Sequence, residues 1–243
     1  MAMASMNAHV ESFPGGGPYS YKIHGQVYHR IGSLKPMENQ QPKFAQILIM
    51  DTAQAAEELA GRQYNEDCDP ELFRIIHRIL IENHPFAQSF RMMSDVCEEE
   101  DRLALEEERS RKDVRMIFHQ NPHDDQRRYN VPTSNEIAVV YVGNEEEIPG
   151  ERQFVIKEKT GELQFINDID PRCDPLTYPL LFPTGIQGWH EEMPKTNPTS
   201  SSRWRISQKE YYSHFLFPRK NCFNPNLYSG KLNQQYMVDC WVD

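Results

Sequence analysis

Between Cys173 and His190 the chain reads CDPLTYPLLFPTGIQGWH. Three prolines and two glycines keep this stretch from running far as a helix or as a central strand. Yet Leu176, Tyr178, Leu180, Leu181, Phe182 and Trp189 are too apolar for a solvated loop. The fold therefore has to accommodate an irregular segment that something covers, either the rest of the chain or a partner.

The chain has material for such cover. Its 243 residues are 38% hydrophobic and 11% aromatic, which argues for a packed core and against wholesale disorder. The five cysteines are scattered with no C-x-x-C spacing, so neither a disulfide framework nor a zinc ribbon is indicated. No apolar run approaches 18 residues and the amino terminus does not read as a signal peptide. The expectation is a soluble protein of the nucleus or cytoplasm, neither secreted nor membrane-bound. The net charge of −10 weighs against nucleic-acid binding by the chain as a whole, but it is unevenly spread. From Ser201 onward six Lys/Arg face three acids, a local +3, leaving −13 on the first 200 residues.

Along the chain, residues 1–17 read as a flexible arm ending in PGGGP, a run without the Lys and Ser/Thr of a phosphate loop. YSYKIHGQVYHRIGSL alternates around Gly25 and predicts a hairpin; PKFAQILIM predicts a short strand. DTAQAAEELAGR predicts a helix capped by Asp51 or Thr52 and stopped by Gly61. DPELFRIIHRILIENHP predicts another, with Asp69 as N-cap, Pro70 at the first position, and Leu72, Ile75, Ile76 and Ile79 on one face. A second long helix follows from Phe86 to about Arg111, its acidic half from Glu98 to Glu108 expected in solvent. DVRMIFHQ and EIAVVYV predict strands, and RQFVIKEKTGELQFIND a hairpin turning at Thr160–Gly161. After the polar linker EEMPKTNPTSSS, Ser207 and Glu210 make a capping-box pattern opening the helix SQKEYYSHFLF. A last amphipathic segment runs from about Leu232. The class is α+β.

Candidate chemistry is sparse. His119 and His123 have i, i+4 spacing, but Pro122 and the missing glutamate spoil a metalloprotease helix; His24 and His29 fare no better, and His77 reads as an ordinary polar residue on its helix. No nucleophile-elbow motif is present. The segment SRWRISQKEYYSHFLFPRKN is more informative. It interleaves Trp204, Tyr211, Tyr212, Phe215 and Phe217 with Arg203, Arg205, Lys209, Arg219 and Lys220. Aromatic faces stack on unpaired bases while cations track phosphates, so this is a candidate single-strand contact. The competing explanation is that Tyr211 and Phe215 form the buried stripe of a helix, and on this segment alone it is the stronger.

Four blocks, taken in order, carry a resemblance: GPYSYKIHGQVYHRIGSLKP (17–36), RRYNVPTSNEIAVVYV (127–142), DPRCDPLTYPLLFPTGIQGWH (170–190) and KEYYSHFLF with SGKLNQQYMVDCW (209–241). They resemble the amino-terminal region of Helitron transposon proteins, eukaryotic rolling-circle replication proteins in which an initiator endonuclease precedes a helicase. The most specific positions are Asp174, Pro175, Leu176, Tyr178, Pro179, Leu181, Phe182, Pro183, Gly185, Trp189 and His190 in one block, and Gln234, Gln235, Tyr236 and Asp239 in the other. The resemblance implies a nuclear protein. It also implies a parent that nicks DNA with a tyrosine and a divalent metal such as magnesium or manganese, the metal held by two histidines flanking one hydrophobic residue. That parent unwinds DNA with ATP.

No His-x-His and no Walker motif occurs in this chain, and Tyr211–Tyr212 matches the helix before the family's nucleophiles, not the nucleophiles themselves. The expectation is therefore a non-enzymatic front portion with no metal or cofactor of its own. It would comprise the arm (1–17), an α+β region (18–170), a Pro-rich connector (171–202) and the incomplete start of the endonuclease domain (203–243). Its expected partners are single-stranded DNA and the downstream endonuclease and helicase domains. The connector would pack between the upstream region and the nuclease domain, with Leu232, Tyr236 and Trp241 left under-covered. The alternative is a domesticated protein-interaction module using the acidic helix and the apolar connector.

Overall fold

A computed structural model of the protein describes residues 1–11, 21–118, 138–143, 155–158, 164–167, 169–196 and 203–240. Its strands are β1 (Ala4–Glu11), β2 (Lys22–Ile31), β3 (Asp113–Phe118), β4 (Ala138–Gly143), β5 (Val155–Lys157) and β6 (Gln164–Ile166). Its helices are α1 (Thr52–Ala60), α2 (Pro70–Asn83), α3 (Pro85–Glu106), α4 (Cys173–Thr177), α5 (Gln208–Leu216), α6 (Pro225–Tyr228) and α7 (Lys231–Asp239). Two three-stranded antiparallel sheets, ordered β1-β2-β6 and β4-β3-β5, combine with these helices in an α+β fold.

The amino-terminal segment is not an arm up to Glu11. Met1 to Val10 contain neither glycine nor proline, and Met3 and Ala4 enter the main core. The Met3 amide donates to the Leu176 carbonyl at 2.8 Å, tying the first strand to the irregular segment. Gly25 does not turn a hairpin either. It lies at φ +80° inside β2, where the register against β1 slips between Asn7 and His9. The glycine supplies a left-handed backbone for a bulge, and the strand continues past it.

PKFAQILIM is not a strand: Phe44–Ile47 form a 3-10 turn that buries Ala45 and Ile47. The expected hairpin between Arg152 and Asp168 also comes apart. β5 pairs with β3 while β6 pairs with β2, one strand for each sheet. They stay adjacent through a side chain, because the Val155 amide donates to Gln164 Oε1 at 3.1 Å and the Gln164 amide returns a bond to the Val155 carbonyl. Thr160, Gly161, the loop holding His119 and His123, the PGGGP run and Trp241 lie outside the described residues.

The helix predictions fare better because local chemistry decides them. Asp51 Oδ1 accepts from the Ala53 and Gln54 amides at 2.8 and 3.0 Å, and α1 ends at Gly61. Asp69 Oδ1 accepts from the Glu71 amide at 2.9 Å, with Pro70 opening α2. The buried face of α2 is nevertheless the one with Phe73, His77 and Leu80, and Leu72, Ile75 and Ile79 are exposed. The helix carries two apolar stripes, and the selected one brings His77 to the Ile47 carbonyl (3.3 Å) and Thr52 Oγ1 (3.1 Å).

Helix α3 lays Phe86, Phe90, Met93 and Cys97 on the core shared by both sheets. Its acidic end faces solvent as expected at Glu98, Glu99, Asp101, Glu106, Glu107 and Glu108, with Glu100 the exception. Arg102 pairs with Glu99 and Glu106 at the surface, but Glu100 is buried, bound by both terminal nitrogens of Arg109 and by the Lys112 amide. Those partners hold the Glu100 carboxyl well below its ordinary value, at about 2. Among the described residues no helix is long and apolar enough to cross a membrane.

Candidate functional site

The irregular segment is covered by the chain itself. Leu176 joins the main core, while Tyr178, Leu181, Phe182 and Tyr236 form a second cluster with Tyr212, Phe215, Leu216 and Leu232 packed against it. Pro175 and Pro179 are buried, Pro183 half-buried, and only a few members such as Leu180 and Ile186 face solvent. Tyr236 is fully buried and Leu232 half-buried, so the expected under-covering of α7 does not occur at these two residues. The packing crosses both boundaries drawn at 170/171 and 202/203.

Within this cluster sits a polar network drawn from three of the four sequence blocks. Tyr178 donates to Asp239 Oδ2 at 2.6 Å, and His29 Nε2 lies 2.9 Å from the same oxygen. Tyr236 reaches Asp174 Oδ2 at 3.3 Å, and Gln235 approaches Met6 Sδ at 3.6 Å. Burial first, and the Asp239 charge second, push the Asp174 carboxyl up to about 7. Burial likewise raises the Tyr178 and Tyr236 phenols above their usual values, so both stay protonated donors.

The motif glycines have steric roles. A side chain at Gly188 would begin 2.6 Å from Asp174 Oδ2, and one at Gly185, at φ +68°, 2.7 Å from Pro85 Cδ. Trp189 Nε1 donates to the Ile206 carbonyl at 2.9 Å, the His190 carbonyl accepts from Met193, and Gln234 is half-buried on α7. With Asp239 Oδ2 and Asp174 Oδ2 accepting from within the chain, the network can fasten α7 to β2 and to the irregular segment. Among the described residues no group of three His, Cys, Asp or Glu is placed to hold a metal ion. A cavity of about 520 Å³ opens elsewhere, lined by Ile47, Leu59, Arg62, Phe73, Ile76 and Leu180, and none of the expected site residues lines it.

The candidate DNA segment divides in two. The capping box forms as expected, with Ser207 and Glu210 bonding reciprocally at the start of α5. The inner face of the helix then buries Tyr211 and half-buries Tyr212 and Phe215 against Tyr236 and Phe182. Tyr211 donates to the Gln187 carbonyl at 2.8 Å, and burial raises both the Tyr211 and Tyr212 phenols. For these three rings the core explanation holds. Trp204 and Phe217 behave oppositely: Trp204 is 52% exposed with the Arg205 guanidinium 4.4 Å from its ring centre, and Phe217 is more exposed still. Arg203, Arg205, Lys209, Arg219 and Lys220 are all exposed.

Two features are not apparent from sequence patterns. His29 is a network member, whereas its spacing from His24 suggests only a weak metal pair. Phe223 and Tyr228 belong to no motif, although one signal marks their region: from Tyr211 to Val238 there is no acidic residue. Comparison with protein-family models, with curated proteins and with solved structures finds no match to this chain.

Proposed function

We propose that the chain is a non-catalytic portion of a Helitron-type rolling-circle replication protein and that it holds single-stranded DNA against the surface from Arg203 to Lys220. One observation carries the binding assignment. The fold turns Tyr211, Tyr212 and Phe215 inward and leaves Trp204, Phe217 and five cations outside, on the acid-poor part of an otherwise acidic chain. Unpaired bases need flat open faces and phosphates need nearby cations, and this surface presents both. The tyrosine pair takes no nucleophilic part in this reading, because both phenols are packed in the cluster and raised by burial.

The protein-interaction alternative loses much of its surface. Leu176, Tyr178, Leu181 and Phe182 of the connector are buried, and Glu99, Glu100, Asp101, Glu106 and Glu107 of the acidic run are already paired with Arg102, Arg109 or Arg111.

The test is fluorescence anisotropy with a labelled oligo-dT over a range of salt. Trp204→Ala should weaken binding by roughly five- to a hundred-fold, the equivalent of ~1–3 kcal/mol of stacking. Joint replacement of Arg203 and Arg205 by Ala should flatten the log–log salt slope by about 0.7 for each phosphate that is no longer neutralised. If these variants match the parent at every salt concentration, or the parent itself fails to bind, the assignment is wrong.

A further inference from the structure

We infer that Phe223 and Tyr228 form a second base-stacking platform for single-stranded DNA, beyond the Arg203–Lys220 surface. The inference rests on the reading above for the class of ligand but stands on different aromatic rings. Both rings are strongly solvent-facing, at 74% and 75% exposure. Exposed rings that stack on one another, unlike apolar residues scattered singly, make a contiguous patch of the kind that marks an interaction site.

Geometry separates this group from the buried rings nearby. Inside the cluster the pairs Tyr178–Tyr236, Phe182–Phe215, Phe182–Tyr236 and Tyr212–Tyr236 meet edge to face, at interplanar angles of 65° to 77°. Phe223 and Tyr228 instead lie nearly parallel, 21° apart with centroids at 5.0 Å. An edge-to-face pair closes on itself, whereas a parallel pair leaves flat outer faces that a further ring can extend. A nucleobase is such a ring.

The turn that holds the pair is ordered before any ligand arrives. Asn224 Nδ2 donates to the Phe215 carbonyl at 2.6 Å, and Asn224 Oδ1 accepts from the Asn226 amide at 3.1 Å. Ser229 Oγ donates to the Asn226 carbonyl at 2.8 Å, and Pro225 opens α6. A platform fixed in this way loses little freedom on binding. Arg219, Lys220 and Lys231 flank it, with no acidic residue between Tyr211 and Val238 to repel phosphate. This charge pattern favours a nucleic-acid strand over an apolar protein surface, which would gain nothing from three cations.

The experiment uses the whole chain and oligo-dT. Phe223→Ala together with Tyr228→Ala should weaken binding at least five-fold. The same pair of changes should leave affinity for a blunt duplex of matched length unaltered, because paired bases offer no free face. The indole introduced by Phe223→Trp should keep near-parental affinity and be quenched on adding oligo-dT, and it decides the matter if the alanine variant melts early. Loss of binding on the alanine pair alone, with Trp204→Ala unaffected, supports this platform and removes the Arg203–Lys220 assignment. Loss on Trp204→Ala alone, with no quenching at position 223, overturns the platform and leaves that assignment standing. Equal loss on duplex also overturns it, as does parental affinity for oligo-dT in the alanine pair. A preference for oligo-rU over oligo-dT would reassign the ligand to RNA and overturn the DNA claim.

Discussion

The carboxy-terminal region holds two populations of aromatic side chains that are neighbours in sequence and opposite in situation. Tyr178, Phe182, Tyr211, Tyr212, Phe215 and Tyr236 pack against one another over a buried pair of carboxyls. Trp204, Phe217, Phe223 and Tyr228 face outward among cations. Both sets draw on the same residue types, so composition cannot tell core from binding surface. Position decides: Tyr211, Tyr212 and Phe215 share the inner face of α5, Tyr236 lies on α7, and Tyr178 and Phe182 lie in the irregular segment between them and the main core. Trp204 and Phe217, in contrast, sit at bends before and after α5, and Phe223 and Tyr228 lie at the two ends of α6. The comparison predicts that inner rings govern stability and outer rings govern binding.

The strongest way to break it is at Tyr236, which is fully buried and touches Tyr178, Phe182 and Tyr212. Tyr236→Ala should cost ~3–5 kcal/mol in denaturant unfolding, since it deletes a large ring and leaves a cavity among rings that cannot collapse together. Tyr236→Phe keeps the ring and loses a 3.3 Å bond to Asp174, so its cost should be about 1 kcal/mol. Similar losses for both variants would mean that the hydroxyl, not the packing, holds α7 in place.

How much of this is legible in the sequence follows from which interactions are local. Asp51, Asp69 and the Ser207–Glu210 box fix helix starts within three residues, so the sequence announces them. The α+β class follows from the same local signals. The partners of β5 and β6 are settled far away in the chain, in β3 and in β2, and no local pattern carries that choice. β1 is illegible for the same reason, because its Met and Ala residues carry no strand signature until Leu176 and β2 supply their partners. The polar network shows the same division. Asp174, Tyr178, Tyr236 and Asp239 stand out as motif positions, but their convergence on His29, 210 residues from Asp239 in the chain, is a property of the fold.

The buried carboxyls sharpen the comparison through pH. The Asp174 value is raised from 3.8 to about 7 by burial and then by Asp239. A carboxyl whose folded value lies above its unfolded value favours the protonated folded state. Its ionisation therefore removes stability progressively as pH rises from about 4 to about 7, and the loss is complete above both values. Asp174→Asn is neutral throughout and should abolish this slope. It should become more stable than the parent by an amount on the order of a few kcal/mol at pH 8, with little difference at pH 4. Melting temperatures of the two proteins between pH 4 and pH 8 check this. Parallel curves would show that Asp174 is already charged and compensated in the folded protein.

The smallest expected effect tests the outer population. Trp204 keeps its fold role through its backbone, whose carbonyl accepts from the Lys195 amide at 2.8 Å, and its ring meets the exposed Arg205 guanidinium 4.4 Å from its centre. Phe217 follows the last turn of α5 and is 67% exposed. Neither ring belongs to the buried cluster, so alanine at either position opens no core cavity, although it gives up the covered half of Trp204 and the covered third of Phe217. Trp204→Ala forfeits an exposed cation–π interaction and the packing of the covered half of its ring, ~1–2 kcal/mol in all, and Phe217→Ala should stay within about 1 kcal/mol of the parent. Both should show a nearly unchanged denaturant slope, because the surface exposed on unfolding is nearly the same. The two rings are thus expected to weigh far less than Tyr236 in unfolding while their loss is read out in oligo-dT affinity. A loss approaching that of Tyr236→Ala from either variant would place these rings in the core, and the division of the region into a packed face and a binding face would fail.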